Sequence, residues 1–188
     1  MRCPPPNNFR PARNVRTAEL ADRPDFVKPA RSHGAKADGR RYERKALKYL
    51  EEVFPERIVP SPWFVFTTEY SGCVELFCQP DALVFDPRQG IITVVEVKLR
   101  HTSNAWWQLK ELYIPVVRAV FGSAWEYRPI EVVKSFDPHT KFPEKFELIR
   151  DVRDIELPNV TSFHVHIWDG KRNHAGRSSN ATGRASLY

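Results

Sequence analysis

Residues 80–98 read Pro80-Asp81-Ala82-Leu83-Val84-Phe85-Asp86-Pro87-Arg88-Gln89-Gly90-Ile91-Ile92-Thr93-Val94-Val95-Glu96-Val97-Lys98. Two apolar, β-branched runs flank Asp86-Pro87-Arg88-Gln89-Gly90. Proline there suits the first central position of a type I turn, and glycine tolerates positive φ. With Pro87–Gly90 as a four-residue loop, Asp86 pairs with Ile91, Phe85 with Ile92, Leu83 with Val94 and Asp81 with Glu96. Strands send alternate residues to one face, so Asp81, Glu96 and Lys98 then share a face. A slip of one residue would send Asp81 to the other face, so the reading depends on register. A cross-strand salt bridge on a solvated face is the ordinary alternative.

Working outward, a helix is expected over residues 39–54 with Asp38 as its cap. Tyr42, Ala46, Leu47, Tyr49, Leu50, Val53 and Phe54 form its apolar stripe. Glu43 falls in line with Leu47, Leu50 and Phe54, and a carboxylate turned toward a core needs a cation or metal to offset its desolvation. Gly39, one turn earlier, would permit close approach of the helix. Prolines at 55, 60 and 62 lead into a strand over 63–70, a turn at Ser71-Gly72 and a strand over 73–85. After the Ile91 strand, residues 104–121 carry a helical stripe, with Pro115 expected to kink or interrupt it near Leu112. Strands follow over 130–136 and 163–168, with a further one at 146–149. The order helix, three strands, helix, strand predicts an α/β sandwich around a mixed sheet flanked by helices.

The formal net charge is +6, with 28% charged and 41% apolar residues. Residues 1–36 carry a net of +5, residues 170–188 a net of +4, and the middle a net of −3. The reading is therefore one domain at 38–169 between a basic arm, 1–37, and a basic tail, 170–188. Both ends are expected to be disordered and able to add salt-dependent phosphate contacts. No apolar run is long enough to span a bilayer, the first residues lack the apolar stretch of a signal peptide, and three cysteines in no knuckle spacing speak against a disulfide scaffold. A cytoplasmic protein is the expectation. His164 and His166 share a strand face without a third ligand at a diagnostic spacing, and read as ordinary sheet histidines. Cys73 and Cys78 read as core or boundary thiols.

Pro80-Asp81 followed by Glu96-Val97-Lys98, within that order of elements, resembles the signature of the PD-(D/E)XK nuclease superfamily. Gly39 and Glu43 resemble the first-helix motif of its RecB and phage-exonuclease branch. Gln108 resembles the start of that branch's Q-x-x-x-Y motif, but the tyrosine, Tyr113, comes one position late. On a regular helix that turns its ring by about a quarter turn, toward the core. The resemblance covers roughly residues 38–136 and implies a restriction-endonuclease-like αβββαβ core.

It further implies Mg²⁺-dependent hydrolysis of DNA phosphodiester bonds, with Mn²⁺ as a substitute and RNA as another possible substrate. The metal ligands would be Asp81, Glu96, the Val97 carbonyl and Glu43. Lys98 would orient or help deprotonate the attacking water, and Gln108 would hold the water or a phosphate. Arg100, Tyr113, Trp106 and Trp107 are candidate nucleic-acid contacts, the arginine as a phosphate clamp and the indoles as stacking surfaces. A phage-type exonuclease or a recombination or repair nuclease is the implied subtype, in a bacterial or phage-infected cell, with a homo-oligomer or a helicase or recombination protein as possible partner. Two alternatives stay open: a nucleic-acid-binding protein that keeps the fold without turnover, and a structural or interaction protein of a virus or mobile element.

Overall fold

The computed structural model describes residues 3–27, 34–137, 139, 141–156 and 162–171. Its centre is the expected hairpin. Strand β5 (Ala82–Asp86) runs antiparallel to β6 (Ile91–Arg100), with Ala82 opposite Val95, Leu83 opposite Val94, Phe85 opposite Ile92 and Asp86 opposite Ile91. Asp86 Oδ1 accepts the backbone N–H groups of Arg88 and Gln89, and Gly90 takes a φ of 68°, which closes the loop with the anticipated register. β2 (Ile58–Pro60) lies outside β5. On the other side, β7 (Glu126–Ser135), β9 (Phe163–Ile167) and β8 (Phe146–Ile149) continue the sheet in parallel. The result is a mixed six-stranded sheet in the order β2-β5-β6-β7-β9-β8.

β6 is buried along nearly its whole length because both of its faces are covered, which its unbroken β-branched run anticipates. On one face α1 (Ala35–Val53) packs Tyr42, Ala46, Tyr49 and Leu50 against Val95, Val97, Ile130 and Val132. On the other lie α2 (Ser103–Gln108), a π-helical turn (Leu109–Tyr113) and α3 (Ile114–Phe121), which bury Leu109, Tyr113, Val116 and Val117 against Ile92, Val94 and Val133. A second, three-stranded sheet of β1 (Val15–Ala21), β3 (Trp63–Thr68) and β4 (Leu76–Cys78) contributes Phe64 and Phe66 to that same core.

Four expectations are corrected. The helix starts at Ala35 rather than Gly39, and Asp38 is no cap; it lies in the first turn and pairs with Arg41 at 2.9 Å. The strand expected over 73–85 divides at Gln79-Pro80-Asp81. A proline has no N–H for the ladder, so β4 pairs with β3 in the small sheet while β5 joins the large one. The basic arm is not wholly disordered: Val15–Ala21 forms β1, antiparallel to β3, and Ala12 is buried. The tail beyond residue 171 lies outside the described residues. Gly39 makes no close approach, since a Cβ built there meets nothing within 4 Å.

Proline 115 does disturb its helix, in an instructive way. Lacking an N–H, it cannot donate to the carbonyl of Glu111 four residues earlier. That carbonyl instead accepts the N–H of Ala12 from the arm at 2.7 Å. The backbone accommodates the change by widening: Ile114 N–H donates to Leu109 O, an i to i−5 bond.

Candidate active site

The hairpin's open end brings Asp81, Glu96 and Lys98 together. The regular ladder stops at Ala82, and Asp81 N–H still reaches Val95 O at 3.2 Å. The Asp81 side chain then turns along β6, where Oδ2 accepts the Val97 N–H at 2.6 Å. The carboxylate thus stands where a neighbouring strand's carbonyl would, a position available because Pro80 ends the ladder. Glu96 projects from β6 and is only 3% exposed. Its Oε1 accepts from Lys98 Nζ. Its Oε2 is buried and has no hydrogen-bond partner among the described residues.

This is not a salt bridge on a solvated face. Burial pushes the Asp81 carboxyl well above the usual carboxylate range, and the charge of Glu96 adds to the push, while the Val97 N–H opposes it. Glu96 is likewise raised by burial, against the pull of Lys98. For Lys98, burial works to lower the ammonium's pKa, but Glu96 and then Asp81 overcome it and hold the lysine protonated. Glu43, half-buried on α1, acts on both Asp81 and Glu96 through its charge.

Gln108 and Tyr113 meet at the next layer. Gln108 Nε2 donates to Tyr113 Oη at 3.2 Å. A regular helix would have turned Tyr113 away by one position, but the π turn between them absorbs the extra residue. The five-residue spacing here does what a four-residue spacing does on an α-helix. Tyr113 is buried, and its hydroxyl is pushed well above its usual pKa by burial and then by the charges of Glu96 and Asp81, which places it beside the acids.

Other selected residues are less engaged. The Val97 side chain packs in the α1-side core, leaving only its backbone at the site. Arg100 is exposed at the end of β6, opposite Ser135. Trp106 and Trp107 stand edge to face with centroids 4.8 Å apart, both indole N–H groups are buried without acceptors among the described residues, and Trp107 lies 6.0 Å from Phe9 of the arm. Both rings are half-buried. His164 and His166 face α1, where His166 stacks on Tyr49.

Two buried groups flank the site outside the residues the sequence pattern selects. Glu131, fully buried on β7, sits directly opposite Glu96 in the parallel ladder. Its Oε2 lies 2.6 Å from His101 Nδ1, and its Oε1 accepts the Thr102 N–H at 3.3 Å. Burial raises the Glu131 pKa, with His101 opposing. The signal was a lone carboxylate within Ile130-Glu131-Val132-Val133, the same signature that marks Glu96.

A hard divalent cation such as Mg²⁺ takes oxygen ligands, commonly one or two protein carboxylates with water completing the shell. Asp81 and Glu96 fit that donor set, since both are desolvated carboxyl groups and one Glu96 oxygen has no partner among the described residues. Among the described residues, however, no three His, Cys, Asp or Glu side chains form a closed metal-binding group. Glu43 acts on the pair through its charge from α1.

No family model matches the chain, and no curated protein or solved structure matches it either.

Proposed function

We propose that the protein is a metal-dependent nuclease of the PD-(D/E)XK type that hydrolyses DNA phosphodiester bonds. The observation that carries this reading is the buried, unpaired Oε2 of Glu96 beside Asp81 at the open end of the β5–β6 hairpin. The restriction-endonuclease-like reading of the fold rests on the same hairpin, followed by a helical crossover to a parallel strand. Gln108 held by Tyr113 supports the assignment to the exonuclease branch, in a phage-type exonuclease or a recombination or repair nuclease.

In this reading Asp81 and Glu96 hold Mg²⁺, or Mn²⁺ in its place, with Glu43 acting through water. The bound ion supplies Lewis-acid polarisation of the phosphoryl oxygen and a more acidic water. Lys98, kept protonated by the acids, faces the developing negative charge on phosphorus and orients the attacking water. Gln108 positions that water or a neighbouring phosphate, and Arg100 clamps the backbone beyond. The low-dielectric surroundings of Glu96 strengthen each of these interactions.

The test is incubation of the full chain with linear and circular, single- and double-stranded DNA, with Mg²⁺, Mn²⁺ or EDTA. Asp81→Asn, which retains an acceptor for the Val97 N–H, serves as the folded control. Metal-dependent degradation lost in that variant is the expected result, and no degradation by the intact chain under any condition overturns the proposal. The alternative reading is a DNA-binding protein that keeps the fold without turnover. It expects binding that ignores both Mg²⁺ and Lys98→Ala.

A further inference from the structure

The outer face of α1 carries basic residues that the hairpin chemistry does not use. Arg41, Arg44, Lys45 and Lys48 are spaced by three, one and three residues, so they line one side of the helix. They do not face open solvent alone. With Lys134 near the end of β7 they surround a cavity of about 550 Å³, floored by Tyr42 and by Leu99 of β6. Tyr42 is fixed there by its hydroxyl, which donates to Trp168 O at 2.8 Å.

The charge balance of the groove is strongly positive. Among the described residues that line it, the carboxylates are Asp38 and Asp169. Asp38 pairs with Arg41 at 2.9 Å, and Asp169 pairs with Lys171 at 3.6 Å outside the groove. Arg44, Lys45, Lys48 and Lys134 are all exposed. The remainder of the chain between the arm and the tail is net acidic, so this concentration is local rather than a reflection of overall charge.

Position gives the groove its meaning. It opens at the carboxyl ends of the parallel strands β6 and β7, where ligands of α/β sheets bind. Leu99 in its floor follows Lys98 in β6, so the groove opens at the same carboxyl end of the sheet as the acidic pair, on the α1 face, while Glu96 and Lys98 project from the other face. From Arg41 to Lys48 is about 10 Å along the helix axis, the span of roughly three nucleotide steps of one strand.

We propose that this groove binds the sugar-phosphate backbone of a nucleic acid at the carboxyl end of the sheet where the Asp81–Glu96–Lys98 site also opens. The choice of nucleic acid over other polyanions rests on the nuclease reading; the anionic character of the ligand rests on the groove alone. The α1 face, rather than the basic arm, supplies the main phosphate contacts.

The experiment measures anisotropy of a labelled 30-base-pair duplex with the full chain in EDTA, across a series of NaCl concentrations. Two variants carry the same charge change: Lys45→Glu with Lys48→Glu in the groove, and Arg10→Glu with Arg13→Glu on the arm. All four side chains are exposed, and circular dichroism checks folding. The groove variant is expected to lower the slope of log K against log salt by about 1.8, two contacts at about 0.9 each. The arm variant is expected to change it by less than half as much. Equal slopes for the intact chain and the groove variant, or an equal drop in both variants, overturn the proposal. So does groove-dependent binding to vesicles containing phosphatidylserine that exceeds binding to the duplex. Cleavage is read separately with Mg²⁺. Groove-dependent binding without cleavage defeats the nuclease reading alone, whereas cleavage with an unchanged slope in the groove variant defeats the groove alone.

Discussion

Replacing Gly39 with alanine is expected to stabilise the fold by about 0.5–1 kcal/mol, the entropy that glycine loses in a helix interior relative to alanine. The structure supplies the conditions for the full effect. Gly39 lies inside α1, which begins at Ala35, and its φ is in the ordinary negative range. A Cβ there meets nothing within 4 Å, so no steric cost opposes the gain. For a chain of this size, each kcal/mol moves the melting temperature by about 2–4 °C, which puts the expected rise at roughly 1–4 °C. Urea unfolding of both chains, with equal m values, gives the free energy directly. The substitution also separates two roles for a glycine at the start of a helix that resembles a nuclease motif. If Gly39 is needed for a DNA backbone to approach α1, Gly39→Ala lowers cleavage and duplex affinity while stabilising the protein. The open surroundings argue for neither loss. A destabilised Gly39→Ala chain refutes the reasoning at its root, because it requires a neighbour that the structure does not place there.

Tyr113→Phe removes the hydroxyl that accepts from Gln108, and the expected loss of stability is about 1 kcal/mol for one partly buried hydrogen bond. In the nuclease reading the freed amide also lowers kcat by about tenfold, near 1.4 kcal/mol of barrier, with KM unchanged; unchanged kcat would reduce the pair to a packing contact. His166 predicts a pH effect. Its imidazole is buried against Tyr49 and its pKa is lowered by burial. The unfolded chain therefore takes up the proton first, and the contribution of His166 to stability falls as pH drops through about 6.5 toward the lower folded-state value. The buried carboxyls with raised pKa values act oppositely, favouring the fold as they protonate. The comparison with His166→Phe at pH 7.5, 6.5 and 5.5 isolates the histidine: the intact chain should lose more stability to acid than the variant, and parallel pH profiles would contradict the assignment.

The hairpin was legible from the sequence because its information is local. Asp86-Pro87 and Gly90 set the loop, the β-branched runs set the strands, and the register followed by counting. The small sheet was not legible, since nothing within Val15–Ala21 reveals that β3 will pair with it across more than forty intervening residues. The expected 73–85 strand failed for a physical reason visible only in hindsight: Pro80 lies where a continuous ladder would need an N–H. Tyr113 shows a subtler limit. Its offset from the motif position follows from assuming 3.6 residues per turn throughout. The π turn is a response to Pro115 and to Ala12 of the arm, and the second of these is a tertiary contact. Glu131 and His101 carried a readable signal, a polar residue in a buried strand, but their pairing depends on which strand lies beside β6.

The burial of Glu96 has an energetic argument of its own. If Glu96 and Lys98 were merely a structural ion pair, the interaction would account for one carboxylate oxygen and leave the other desolvated without a partner. Buried ion pairs of that kind seldom stabilise a fold relative to apolar residues of similar size. Here the unfavourable terms are compounded, because Glu43 and Glu131 act on Glu96, and Glu96 and Glu43 on Asp81, with the same sign of charge. β6 otherwise consists almost wholly of side chains suited to a buried strand, so the cost is confined to the two positions that face Asp81. A cation placed among the carboxylates would add attractive terms that offset this repulsion. The carboxylates thus gather where the proposed chemistry needs a concentrated negative field, and the basic groove on α1 opens at the same carboxyl end of the sheet, on its other face.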